Sequence, residues 1–245
     1  MKFALLIALM TSFAQAGPNE DKGLKIAQDT ESANNGFIGD EADMEMTLID
    51  AHERSIVRRM SSKSKEVNND GDKSIITFQW PADVKGTKML TWSHKKSDDD
   101  QWLYLPALKR VKRISSSSKN GSFMGSEFSY EDLGSQEVEK YSHKWLKDDK
   151  VGERTVWVLE RVPVDKDSGY SKLITYMDQE YMNPLKIEYF DRKGELLKTA
   201  IFSNYKKYGK VWRANRIDMS NHQTNKKSSI VWNDRKMGTS YSEND

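Results

Sequence analysis

The chain has no cysteine among its 245 residues, so it carries no disulfide, no thiolate metal ligand and no thiol nucleophile. A lipid anchor on cysteine is excluded on the same ground. Histidine is scarce: His52, His94, His143 and His222 fall in no HxxxH or HxH spacing, which leaves no local zinc motif. GxSxG, GxxxxGK[ST] and GxGxxG are all absent, which removes the nucleophile elbow, the P-loop and the dinucleotide fingerprint. SxxK does occur at 62–65, 93–96 and 116–119, but in a chain rich in Ser and Lys, and at no helix start. Asp98, Asp99 and Asp100 lack the spaced ligands and closing Glu of a calcium loop and read as a turn. Neither sign of charge dominates: 39 Lys and Arg stand against 37 Asp and Glu, which gives no basis for bulk nucleic-acid binding. Apart from residues 3–13, no apolar run approaches the roughly 20 residues that span a bilayer. The expectation is a protein that is not an enzyme and uses no cofactor and no metal.

What is present begins with an export leader. Lys2 precedes the short apolar run, and Ala14, Gln15 and Ala16 form a small-x-small cleavage site. The division expected is therefore a signal peptide over 1–16 and a single β domain over 17–245. A helix is expected over 19–33, stopped by Asn34, Asn35 and Gly36. After Gly39 the apolar period becomes two. Met44, Met46 and Leu48 share one face, as do Ile76, Phe78 and Trp80, and Leu90 and Trp92. Strands are expected over 43–50, 55–62, 73–80, 87–94, 102–105, 109–114, 154–161, 171–178, 185–190, 195–204, 211–219 and 227–232. Turn clusters at 68–71, 97–100 and 191–194 read as hairpin loops. With no βαβ alternation, the pattern predicts a mainly β protein: an antiparallel meander curled into an incomplete, half-open barrel.

Residues 115–133 interrupt the meander and carry Phe123, Met124, Phe128 and Tyr130 among Ser and Gly. A long connection with that much apolar surface should fold back over something, as a lid. Lys109, Arg110, Lys112 and Arg113 form a basic cluster. It reads either as a charged edge strand guarded against aggregation or as a contact for acidic lipid head groups or a partner. Seven Trp, eleven Met, ten Tyr and eight Phe supply a large apolar inventory. A one-layer curved sheet must cover its concave face with lid residues or with a ligand, and Met suits a pocket whose contents vary. Periodicity does not separate a filled core from a pocket.

Three stretches, PADVKGTKMLTW, DDDQWLYLPALKRVKRI and GSFMGSEFSYEDL, together with YMNPLKIEYFDRKG, resemble the outer-membrane lipoprotein-sorting-like proteins, relatives of the carrier LolA. The resemblance covers nearly all of 17–245, with a longer 115–133 segment than LolA proper. It implies a LolA-like half-barrel around a hydrophobic cavity, with an N-terminal helix and lid loops, in the periplasm of a Gram-negative cell. It implies binding of lipids or lipoprotein acyl chains, a possible exporter partner of the resistance-nodulation-division (RND) class, and no catalytic residues. On that basis Phe78, Trp80, Leu90, Trp92, Trp102 and Tyr104 are expected in the cavity wall, with Phe123, Met124 and Phe128 closing over it. Lys109, Arg110, Lys112 and Arg113 are expected at head groups or a partner, with peripheral membrane contact. The alternative is a non-catalytic sensor or adaptor that docks on a membrane transporter or signalling protein, its interior filled.

Overall fold

The computed structural model describes residues 17–242; the expected leader lies outside the described residues. Helix α1 (Pro18–Asn34) is followed by β1 (Gly39–Ile49), β2 (Ser55–Lys65), β3 (Lys73–Trp80), β4 (Lys88–Trp92), β5 (Asp100–Leu105) and β6 (Arg110–Ile114). After a long crossover come β7 (Tyr141–Val151), β8 (Arg154–Pro163), β9 (Tyr170–Asp178), β10 (Pro184–Asp191) and β11 (Leu196–Ser203). A small hairpin of β12 (Lys206–Tyr208) and β13 (Val211–Arg213) precedes β14 (Arg216–Asn221) and β15 (Lys226–Met237). Among the described residues, thirteen strands form one antiparallel sheet in the order β6-β5-β4-β3-β2-β1-β15-β14-β11-β10-β9-β8-β7. The expected mainly β, half-open architecture with an N-terminal helix is what is observed.

The sheet is curved, and its core shows why. Met89 of β4 and Leu173 of β9 belong to one buried cluster. Eight strand intervals separate them, about 40 Å on a flat sheet at roughly 4.8 Å per strand. Only a sheet rolled around its inner face brings both into one core. That face carries the buried alternates: Phe78, Met60, Met44 and Trp232 sit opposite one another in β3, β2, β1 and β15. The two free edges are β6 and β7, so the chain between them must cross the open side of the half-barrel. Residues 115–140 make that crossing, and Phe123 and Phe128 are driven into the core at 0% and 3% exposure. The connection is a plug as much as a lid.

Two parts of the strand pattern differ from expectation. Strand β7 was absent from the sequence-based set because Lys147, Asp148, Asp149 and Lys150 look like a loop. They occur on an edge strand, where charge on the free side discourages pairing with other chains. The expected strand over 211–219 is two strands, because Val211–Arg213 turns back on β12 and Arg216–Asn221 joins the large sheet. Helix α1 lies on β7 through a bare contact. A Cβ on Gly23 would come within 2.6 Å of the Trp145 amide nitrogen and 2.8 Å of Lys144 backbone atoms. Glycine is required there because backbone cannot move aside. Ile26 then packs on Leu159 and Met177 inside the curve.

Candidate functional site

The inner wall is built from residues of the other parity than the sequence reading chose. In β4 and β5 the buried side chains are Met89, Thr91, Gln101 and Leu103. Leu90, Trp92, Trp102 and Tyr104 therefore point to the outer face, with Leu90 39% exposed. Leu90 stands between Ile75 and Trp102 in the ladder, and Trp102 next to Arg113. Trp80 follows a register shift between β2 and β3 and is 50% exposed, with the Arg59 guanidinium 5.6 Å over its ring. A one-residue choice of face inverts a whole strand, and Trp and Leu on an outer face mislead a reading that sends apolar groups inward. Phe78 does face inward. It packs against Phe123 at 5.8 Å between centroids, and Phe123 meets Tyr130 edge-on at 5.9 Å. Both are solid core. Met124 is half-buried against the same cluster, and Phe128 lines a cavity.

The crossover is fastened to the wall by polar contacts. Lys198 Nζ, on β11, donates to Asp132 Oδ2 at 2.6 Å and to the Glu127 carbonyl at 3.0 Å. Both ion-pair side chains are 5% exposed. Asp132 also accepts from the Tyr170 hydroxyl and the Ser129 amide, each at 2.7 Å. Asn221 Nδ2 donates to Glu127 Oε2 at 2.7 Å, and Arg58 donates to the Met124 carbonyl. Of the basic cluster, Lys109 sits in a left-handed turn before β6, while Arg110, Lys112 and Arg113 are exposed on that edge strand. Arg113 pairs with Asp100.

Two adjoining hollows remain inside the curve. One, of about 410 Å³, lies between the crossover and the wall. Phe202, Ile217 and Ile230 face one another across β11, β14 and β15 to form part of it, beside Ile187, Ala200 and Met219. The other, of about 390 Å³, is overlain by α1 and lined by Ala27, Thr30, Leu159, Arg161, His143 and Met177. Phe37, Asp72, Gln136, Pro184, Ile187, Phe202, Arg213 and Ile217 line both, so the hollows meet. The sequence signal for Ile187, Phe202 and Ile217 was their alternation in strands already recognised; what was missing was which strands the curl brings together.

Polar groups stand at the junction of the hollows, where Asp72 and Arg213 line both, and around it. Arg235 pairs with Asp40 at 3.3 Å, both nearly buried. Arg213 donates to Asn34 and to the Trp212 carbonyl, and burial pulls its pKa down. Burial pushes the Asp72 carboxyl up to about 6, with Glu66 adding to the shift and Arg213 opposing it. Asp40 is raised by burial as well, against the pull of Arg235. Glu31, Glu137 and Glu139 bring carboxylate oxygens within 4.8 Å of one another. Lys95 Nζ lies 2.9 Å from Glu31 and supplies countercharge there.

Comparison with known proteins agrees with this architecture. A family model described as that of an uncharacterized protein matches residues 70–245. None of the curated proteins matches. The crystal structure of a domain named for outer membrane lipoprotein sorting, from Vibrio parahaemolyticus, is 52% identical with a TM-score of 0.91, over 93% of this chain and 97% of that one. A DUF1329 family protein from Desulfovibrio piger is 28% identical with a TM-score of 0.88, over 92% and 95%. A LolA superfamily protein from Nitrosomonas europaea, 20% identical with a TM-score of 0.71 over 89% and 94%, shares the fold. At 52% identity to the Vibrio domain over 93% of its length and with the same fold, the chain belongs to the family of that outer membrane lipoprotein-sorting protein domain, and its fold is LolA-like.

Proposed function

We propose that the mature chain, one domain over 17–245 freed of its leader, is a periplasmic carrier for lipids or lipoprotein acyl chains. The observation that supports this is the pair of meeting hollows of about 410 and 390 Å³. Each falls within the roughly 300–1,000 Å³ of small-molecule sites. Phe37, Ile187, Phe202 and Ile217 in their shared wall reward a hydrocarbon, while Asp72, Gln136 and Arg213 beside them can meet a polar end. A chain of about sixteen carbons, at roughly 0.8 kcal/mol per buried CH₂, gains about 13 kcal/mol by leaving water, before the costs of binding. That gain is what makes a carrier necessary across an aqueous compartment. The role assigned is non-catalytic: binding, shielding and release. Release requires the crossover or α1 to shift, driven by a membrane or an exporter, of which the RND class is the candidate. The exposed cations of β6 are the proposed contact with acidic head groups.

The test is mass spectrometry of organic extracts from the purified mature protein. A stoichiometric acyl species is expected. It should be lost in Ile217→Trp, which fills the hollow, while the thermal transition is retained. A wild-type protein that comes out empty, takes up no added lipid and still captures a membrane exporter would replace the carrier with an adaptor.

A further inference from the structure

The hollow beneath α1 contains a cation that the protein does not pair. Arg161 is 6% exposed. Its Nε donates to Thr175 Oγ1 at 3.0 Å, and its Nη2 is buried without a hydrogen-bond partner. Among the described residues no carboxylate lies within ion-pair distance of it; its nearest charge-stabilising neighbour is the Tyr141 ring, 4.8 Å away. Directly across the β7–β8 ladder stands His143, 7% exposed. Its Nε2 faces the Val138 carbonyl at 2.9 Å, so that nitrogen carries the proton, and Nδ1 is left buried without a partner. Both side chains line the hollow. Buried polar atoms are almost always satisfied, and buried charges are almost always paired. Arg235 Nε and Arg58 Nε are also buried without a hydrogen-bond partner, but Arg235 has the Asp40 carboxylate 3.3 Å away and Arg58 donates to the Met124 carbonyl, whereas Arg161 has neither a carboxylate nor a carbonyl on its guanidinium. The unpaired pair therefore marks a place for a ligand's polar end. The wall continues from it in register, Leu159 beside Thr175 and Thr175 beside Ile187, toward Phe202 and Ile217.

We infer that Arg161 and His143 form the head-group subsite of an anionic amphiphile, whose carboxylate or phosphate oxygen meets Arg161 Nη2 and whose tail runs along Ile187 into the apolar hollow. The inference rests on the carrier reading and sharpens it, because the acyl groups alone of a lipoprotein offer no anion. His143 supplies an acceptor at Nδ1 for a ligand O–H, or a second donor when protonated. Arg161 is fixed by Thr175, so its remaining N–H groups are preorganised for an oxygen.

The test uses the mature protein loaded with the neutral probe N-phenyl-1-naphthylamine and displaced in turn by laurate, dodecyl phosphate and 1-dodecanol. Laurate or dodecyl phosphate should bind at least about tenfold more tightly than 1-dodecanol, the difference expected of a charge-assisted hydrogen bond. Which of the two is tighter separates carboxylate from phosphate. Arg161→Met should abolish the preference by weakening the acids far more than 1-dodecanol, while Arg161→Lys should retain part of it. The ligand-free Arg161→Met protein should be at least as heat-stable as wild type, since it sheds an uncompensated buried charge. Equal affinity of wild type for the acids and the alcohol overturns the head-group subsite, whatever the variants do. So does an acid preference that survives Arg161→Met. Failure of the probe and all three ligands to bind overturns the carrier reading itself.

Discussion

Lys198→Met is the most informative perturbation of this molecule, because the Lys198–Asp132 pair joins the crossover to the wall of the half-barrel. Both side chains are 5% exposed, so neither charge is screened by water. Removing one partner of a buried pair costs about 3–5 kcal/mol, since the other charge is left in low dielectric. Asp132 keeps its bonds from Tyr170 and Ser129 at 2.7 Å each, which places the expected loss toward the lower end, about 3 kcal/mol. The Nζ contact to the Glu127 carbonyl is lost with it. In urea, with m near 3 kcal/mol per M for a chain of this size, the midpoint should fall by about 1 M. Amide exchange should quicken across 122–132 before the sheet loosens, because the pair fastens that segment. Lys198→Met with Asp132→Asn should recover most of the loss, as neutral Asn still accepts from Ser129 and donates to the Tyr170 oxygen. A single variant within 1 kcal/mol of wild type, or a double variant worse than the single, would refute the assignment of this pair as the fastening.

The remaining expectations can be checked with the same unfolding assay. Asp72 has a folded pKa of about 6 against its ordinary 3.8, so the folded state holds its proton more tightly than the unfolded chain. Its neutral form is fully tolerated below pH 4, and stability falls as pH rises from about 4 to 6, by about 3 kcal/mol in all. Asp72→Asn should therefore match wild type at pH 4 and exceed it by up to that amount at pH 7; a difference independent of pH would sink the account. Phe123→Ala should cost about 3–5 kcal/mol, because the ring is wholly buried against Phe78 and Tyr130. A stable variant that merely loses ligand would make Phe123 a lid residue instead. Gly23→Ala should cost about 1–3 kcal/mol and loosen α1, read as faster exchange in that helix, since its methyl would meet β7 backbone at 2.6 Å.

The strand pattern was legible because backbone geometry imposes it locally. Met44, Met46 and Leu48 alternate with Asp43, Glu45 and Thr47 whatever lies across from them, and β3 begins and ends where its sequence pattern does, at Lys73 and Trp80. The helix was legible from its stop signal and differs by a residue at each end. Strand β7 was not, because the side chains that protect an edge are those of a loop. The cavity wall was not legible either. Leu90, Trp92, Trp102 and Tyr104 look like core in a window of ten residues, and only the burial of Met89 and Leu103 against residues far away shows that they face outward.

By itself the sequence determined the class of structure and the absence of familiar catalytic and metal motifs, since composition, period and spacing are properties of short stretches. It also determined that 115–133 must cover something, because four large apolar groups do not stay in water. The tertiary structure decided which face is inside and that the crossover is a plug. It also placed His143 beside Arg161 over an oily hollow with no countercharge. Those facts depend on how a sheet of thirteen strands rolls up and where its two edges are joined, and no local window contains that information.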